Sequence, residues 1–322
     1  MRTRLTEALD IVHPVMLAGM GGVSFSALVA AVSEAGGYGC IGAAAASHEQ
    51  MNEEIAATRA LTDKPFGVDL LTAAPQDIEA KIRDIAKGGA TAYVAGLGVP
   101  REVIDLCHEL NLIVVSMCGK VRHAEAAVAA GCDMVVAQGT EAGGHTGTVA
   151  TMALVPQVVD AVGDKAPVVA AGGIFDGRGL AAALMLGADG VWVGTRFIAT
   201  PEAHTVRGYK DKLLELPEDG TVVTRAYTGK TCRVARTKYV EEFDAAGGKP
   251  EPFPGQVIKS MTDGANHLGG GPDTPDVDSD REFMPAGQGV GAIHELVPAG
   301  ELVHRFVAEA EAALGKGDLV RA

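Results

Sequence analysis

The chain has 322 residues and a net charge of −14, with 27 Lys and Arg against 41 Asp and Glu. That balance argues against nucleic acid and anionic membrane partners, which need clustered cations. Aromatic residues are 4%, too few for base-stacking platforms. Folding a chain this long hides roughly three quarters of its surface, so no disulfide or metal staple is needed. Two domains fit the length, as does one α/β barrel with an insertion. Glycine stands out at 42 residues, near twice its usual share of ~7%. Without a collagen period, this excess reads as tight turns or close backbone approaches to a ligand. The five cysteines form no C-x-x-C pair, which fits reduced thiols in a cytoplasmic protein. Residues Met1–Asp10 lack an apolar core of the kind a signal peptide carries. No apolar run is long enough to predict a membrane span.

Eight short apolar runs recur along the chain: Pro14–Ala18, Tyr38–Gly42, Phe66–Leu70, Thr91–Ala95, Leu112–Ser116, Asp133–Ala137, Val168–Ala171 and Gly190–Gly194. They are continuously apolar rather than alternating, as expected of strands covered on both faces. Their spacing suits a strand, a crossover helix and two loops. Ser26–Ala35, Arg101–Leu110, Val121–Ala130 and Arg178–Leu186 carry apolar residues at helical spacing. Gly36, Gly131 and Gly187 fit the stops after such helices. The expected fold is therefore α/β, a (β/α)8 barrel over residues 1–199. An open doubly wound sheet is the rival architecture. Residues 200–284 are more polar and irregular, and read as an inserted lid or substrate subdomain. Within it Arg233–Glu242 has helical spacing, and the Gly/Pro/Asp-rich Gly264–Asp280 reads as a surface excursion. Residues 285–322 would return to the barrel, ending in a helix over Gly300–Leu314.

Several motifs fail on context. Gly37–Gly42 matches G-x-G-x-x-G, but it follows a helix and enters a strand, the reverse of a dinucleotide fingerprint. Gly229-Lys230-Thr231 resembles the end of a P-loop without its first glycine. No histidine pairs with another at helical spacing, so no zinc site is expected.

Three signals survive. The first is Gln138-Gly-Thr-Glu-Ala-Gly143-Gly144-His145-Thr-Gly147, directly after the sixth strand. In a barrel this places it on the catalytic face. His145 titrates near neutrality, which suits a general acid or base, although a histidine that only braces a loop would look the same. The second is Gly172-Gly173 after the seventh strand with Gly194-Thr195 after the eighth, where barrels commonly bind phosphate. Ordinary strand-end turns would carry the same glycines. The third is Ala18-Gly19-Met20 after the first strand, a segment able to set backbone against a planar ring. Asp69, late in the third strand, could accept ligand hydrogen bonds or cap a helix.

Taken together, Met16–Met20, Ala31–Gly37, Lys64–Leu70, Gln138–Gly147, Ala171–Ile174, Gly194–Phe197 and Ala286–Gln288 resemble the nitronate monooxygenase family, formerly called 2-nitropropane dioxygenases. The resemblance runs from about His13 to Gly289. It implies an FMN-bearing (β/α)8 barrel with a smaller domain over the active site. It also implies roles for the residues. Ala18, Gly19 and Met20 would meet the flavin ring, with Gln138 and Asp69 hydrogen-bonding nearby. Gly143 and Gly144 would lie close to the cofactor. Gly172, Gly173, Gly194 and Thr195 would bind its phosphate. His145 would be the catalytic base, and Gln288 would approach from the second domain. Leu17 and Ser24-Phe25-Ser26 depart from the family's usual residues, which bears on the substrate pocket more than on the flavin site. The expected reaction is O₂-dependent oxidation of a small-molecule nitronate to a carbonyl compound and nitrite. The alternative is an NAD(P)H-dependent flavin reductase acting on an enoyl thioester or a quinone. A barrel binding a phosphorylated metabolite without flavin is a third reading, and a homodimer is left open as the assembly.

Overall fold

The computed structural model describes residues 1–44, 46–71, 77–96 and 98–316. Eleven strands lie within them: β1 (Val15–Leu17), β2 (Gly39–Gly42), β3 (Phe66–Leu71), β4 (Ala92–Gly96), β5 (Ile113–Cys118), β6 (Met134–Gln138), β7 (Gly144–His145), β8 (Val168–Ala171), β9 (Gly190–Val193), β10 (Thr221–Thr224) and β11 (Cys232–Ala235). Eight of them coincide with the eight apolar runs. They form one parallel sheet in the order β1-β9-β8-β6-β5-β4-β3-β2. A parallel bridge between Met16 and Tyr38 joins its two edges, with Leu17 N–H donating to the Tyr38 carbonyl at 2.9 Å. The sheet is thus a (β/α)8 barrel, as the repeat of strand and helix predicts.

Alternation along each strand divides the core into two layers. Met16, Tyr38, Cys40, Val94, Val136 and Trp192 fill the bore. Leu17, Ile41, Phe66, Val68, Val135 and Val193 face outward and pack under the helices. Both faces are therefore apolar, which is why the strands read as continuous hydrophobic runs. Each fully buried side chain of this size contributes about 1.5–3 kcal/mol. The helices Ser26–Glu34, Val121–Ala130 and Gly177–Met185 end as expected. Gly36, Gly131 and Gly187 adopt φ of +84°, +105° and +91°, a region that costs side-chain-bearing residues about 1–2 kcal/mol.

The helix Ala299–Gly315 buries Leu302, Val303, Phe306 and Val307. It crosses so close to the helix Gly177–Met185 that a Cβ on Gly177 would lie 2.3 Å from the Phe306 carbonyl oxygen. Between β9 and this helix the chain forms β10 and β11, which join the earlier β7 in a second, antiparallel sheet of order β10-β11-β7. Here the sequence reading is corrected. The first part of Arg233–Glu242 is strand β11, and the helix begins later, at Lys238–Ala245. Thr237 caps that helix by accepting from Val240 N–H. Residues 264–280 contain no helix or strand, but the segment is tied down. Gly269 packs against Gly22, and the buried Glu282 accepts from the His267 backbone N–H at 2.8 Å and meets its ring at 2.6 Å.

Candidate active site

The surviving sequence signals converge on the C-terminal face of the barrel in three groups. The first surrounds Ala18–Met20. Buried Ser24 fixes this turn, its hydroxyl accepting from Met20 N–H at 2.8 Å. The backbone there leaves no room for side chains. A Cβ on Gly42 would fall 2.2 Å from the Met20 carbonyl carbon, and one on Gly19 would fall 2.2 Å from Asp69 Cβ. Gly194 lies against the same turn, its missing Cβ 3.3 Å from Met20 Sδ. Asp69 sits within β3, paired with Gly42 and Val94 across the ladders, so it does not cap a helix. The residue is half-buried, and none of the described residues hydrogen-bonds its carboxyl. Burial in the bore holds it well above the usual carboxylate range.

The second group carries the histidine. The sequence reading left Gly143–Gly147 as a loop, whereas Gly144–His145 forms strand β7. It pairs antiparallel with β11, Arg233 opposite Gly144 and Cys232 opposite His145. Gln138 Nε2 donates to the His145 carbonyl at 2.7 Å. One imidazole nitrogen, Nε2, lies 3.2 Å from Thr228 Oγ1, whose hydroxyl donates to the Lys230 carbonyl. Partial burial of the ring lowers the His145 pKa first, and the Lys230 ammonium lowers it further. The residue as a whole is nonetheless exposed, so solvent tempers the first effect. Both causes leave the imidazole neutral at pH 7.

Buried Arg233 locks this arrangement. Its Nε donates to the Thr140 carbonyl at 2.9 Å and its Nη1 to Thr221 Oγ1 at 3.2 Å. One side chain therefore joins the loop after β6 to both long strands of the second sheet.

The third group joins the two glycine loops through Gly287. Its N–H donates to Thr195 Oγ1 at 2.9 Å, and a Cβ there would lie 2.9 Å from the Glu141 carbonyl oxygen. Glu141 in turn reaches Gly173, and its carboxylate accepts from Thr151 N–H at 2.9 Å and from Thr151 Oγ1. This caps the helix Thr151–Val162 from outside its own sequence. Gly172, Gly173, Glu141 and exposed Gln288 line one cavity of about 310 Å³. Gln288 N–H donates to the Glu141 carbonyl, so Ala286–Gln288 does pack on the loop after β6. Gly143 serves that crossing, because a Cβ on it would fall 2.8 Å from Gly287 N.

Thr228, Lys230, Arg233, Glu141 and Ser24 were missed from sequence. Glu141 lies inside the Gln138–Gly147 element, Ser24 inside the Ser24-Phe25-Ser26 departure and Lys230 inside the incomplete P-loop Gly229-Lys230-Thr231, but none of them stood out as a site residue. All five cysteines are free and buried, and burial pushes the Cys107 and Cys232 thiols up to about 12. Among the described residues no cluster could hold a metal ion, and no helix is long and apolar enough to cross a membrane.

The family profile for nitronate monooxygenase matches residues 2–87 and 76–309. A Mycobacterium tuberculosis protein named (3aS,4S,5R,7aS)-5-hydroxy-7a-methyl-1-oxo-octahydro-1H-indene-4-carboxyl-CoA dehydrogenase is 41% identical over 76% of this chain and 69% of its own length. The structure of FabK from Thermotoga maritima superposes with a TM-score of 0.88 at 34% identity, covering 98% of each chain. Nitroalkane oxidase from Streptomyces ansochromogenes superposes with a TM-score of 0.82 at 31% identity, covering 96% of this chain and 99% of its own. On these matches, and on the barrel that carries them, the chain belongs to the nitronate monooxygenase family of flavin-dependent oxidoreductases.

Proposed function

We propose that the chain binds FMN and oxidises alkyl nitronates with O₂ to carbonyl compounds and nitrite. The observation that carries this reading is His145, neutral, exposed beyond the end of β6 and held by β11 and Thr228. FMN would supply the electron acceptor. The protein fits it on its own geometry. Gly19, Gly42 and Gly194 leave a backbone surface that Cβ atoms would obstruct. Gly172, Gly173 and Thr195 offer N–H and hydroxyl groups to a phosphate. Among the described residues none donates to the Gln138 carboxamide oxygen, while its amide group donates to the His145 carbonyl.

His145 orients a bound nitronate through its ring. Where a neutral nitroalkane is bound, it removes the α-proton, with Thr228 fixing which nitrogen faces the cleft. Residues 200–284 shape the substrate side of the cleft and limit water there. A second reading stays with the same residues. The 41% identity to a carboxyl-CoA dehydrogenase favours a thioester or related carbonyl substrate with NAD(P)H as partner. His145 would then exchange a proton with that substrate.

One experiment separates them. Yellow, FMN-loaded protein is mixed anaerobically with NADH or NADPH, and separately given an alkyl nitronate in air. Oxygen uptake with nitronate and no bleaching by either nucleotide is the expected result. Fast bleaching without nitronate-dependent uptake would establish the reductase instead.

A further inference from the structure

The turn that joins β10 to β11 carries a cation with no carboxylate to answer it. Lys230 is half-buried there, and among the described residues its ammonium makes no ion pair and no hydrogen bond. It rests instead 4.2 Å above the centroid of the Phe253 ring. A ring face satisfies one side of an ammonium and leaves its remaining N–H groups to a ligand. The turn is fixed from two sides. Toward the histidine, Thr228 Oγ1 lies 3.2 Å from His145 Nε2 and accepts from Lys230 N–H at 3.3 Å, and the Thr231 carbonyl accepts from Thr146 N–H at 3.3 Å. On the other side, Gly229 has φ of +75°, and a Cβ there would lie 3.0 Å from the Glu251 carbonyl oxygen. Gln256 ties the same segment to the turn, its amide donating to the Ala226 carbonyl and its oxygen accepting from Glu251 N–H. These contacts set Phe253 beneath Lys230 and Lys230 beside the histidine.

A nitronate carries a full negative charge on its oxygens, and the neutral imidazole of His145 offers none in return. Arg233 on β11 spends Nε and Nη1 on Thr140 and Thr221. The chain as a whole stands at −14, which repels an anion from a cleft without a local cation. We propose that Lys230 recognises the substrate's negative charge, its ammonium pairing with the oxygens of a nitronate bound beside His145 while Phe253 holds the side chain in place. This rests on the nitronate reading and adds the group that selects the anion over a neutral nitroalkane. The Lys230 charge already reaches the histidine, whose pKa it lowers. Methionine keeps the stem without the charge, and arginine keeps the charge.

The test separates recognition of charge from turnover. FMN-loaded wild type, K230M and K230R, matched for flavin content by absorbance, are compared by oxygen uptake with propane-1-nitronate. At pH 8 His145 is neutral in all three, so its own titration does not intrude. K230M should raise KM about tenfold with kcat within about threefold of wild type, and K230R should stay within about threefold in both. Added salt should lower kcat/KM of wild type and leave that of K230M nearly unchanged. Sodium nitrate, a planar anion that cannot react, should compete with the nitronate and do so about tenfold more weakly in K230M. A K230M whose KM and nitrate inhibition match wild type, or whose loss lies in kcat alone, would overturn the proposal and leave the nitronate reading standing. No nitronate-dependent uptake by wild type would overturn that reading, and this inference with it.

Discussion

In the parallel barrel, strands pair through three to five residues except at the single Met16–Tyr38 bridge that closes it, and both faces are covered. In the second sheet, β7 contributes two residues, and one of them is an exposed histidine. The barrel strands owe their positions to local apolar runs. His145 owes its position to residues more than 80 places away in sequence: Thr228 beside its ring and Cys232 across the ladder. The scaffold and the proposed catalytic group are therefore separable. Damage to residues 228–235 should impair chemistry while leaving the barrel folded.

Arg233→Ala attacks that separation most heavily. It removes charge-assisted hydrogen bonds to Thr140 and Thr221 and takes the donor from the part-buried Thr140 carbonyl. We expect a loss of about 2–4 kcal/mol in urea unfolding, with turnover falling further than FMN binding. Equal loss of both would show that the second sheet supports the flavin site as much as the histidine.

A glycine pair sharpens the point. Gly143→Ala should cost about 1–3 kcal/mol, because its Cβ meets the backbone of Ala286 and Gly287. Its neighbour Gly144 has φ of +77° but open space around a Cβ, so Gly144→Ala should cost about 1 kcal/mol from backbone strain alone. Thermal unfolding of the two variants checks the order, and a reversed order would refute the packing of Ala286–Gln288 on the loop.

The smallest effect is in the pH profile. His145 is held below 6.5, the ordinary value for histidine, by burial and then by Lys230. A reaction needing the neutral base should be on its plateau at pH 7. It should fall only as pH drops through that lowered value. Lys230→Met keeps an apolar stem beside the Phe253 ring and removes the ammonium. The acid limb of kcat/KM should then move toward neutral pH, by less than about one unit. No movement would remove Lys230 from the electrostatics of the site.

The same division decides how much could be read from sequence. The eight barrel strands and the glycine helix stops were legible, because burial on both faces writes continuous apolar runs and positive φ selects glycine. The two-residue β7 was not, since no periodicity survives in Gly144-His145. Nor was β11. Cys232–Ala235 places a buried arginine inside a strand, and its flanking residues carry helical spacing into Lys238–Ala245. The cluster Ala18–Met20, Gly42, Asp69 and Gly194 was visible only as separate glycine motifs, since sequence does not show which loops of a barrel touch. Glu141 read as part of a glycine-rich element, while its task is to cap a helix ten residues away through Thr151.

The central claim is that His145, held by the second sheet, does the proton chemistry over a flavin it does not itself hold. Oxygen uptake on adding an alkyl nitronate, measured for wild type and His145→Ala with FMN content read from absorbance, tests it most directly. The account predicts unchanged FMN content and turnover lower by about 10²–10⁴-fold. Turnover within about threefold of wild type at full FMN content would contradict it.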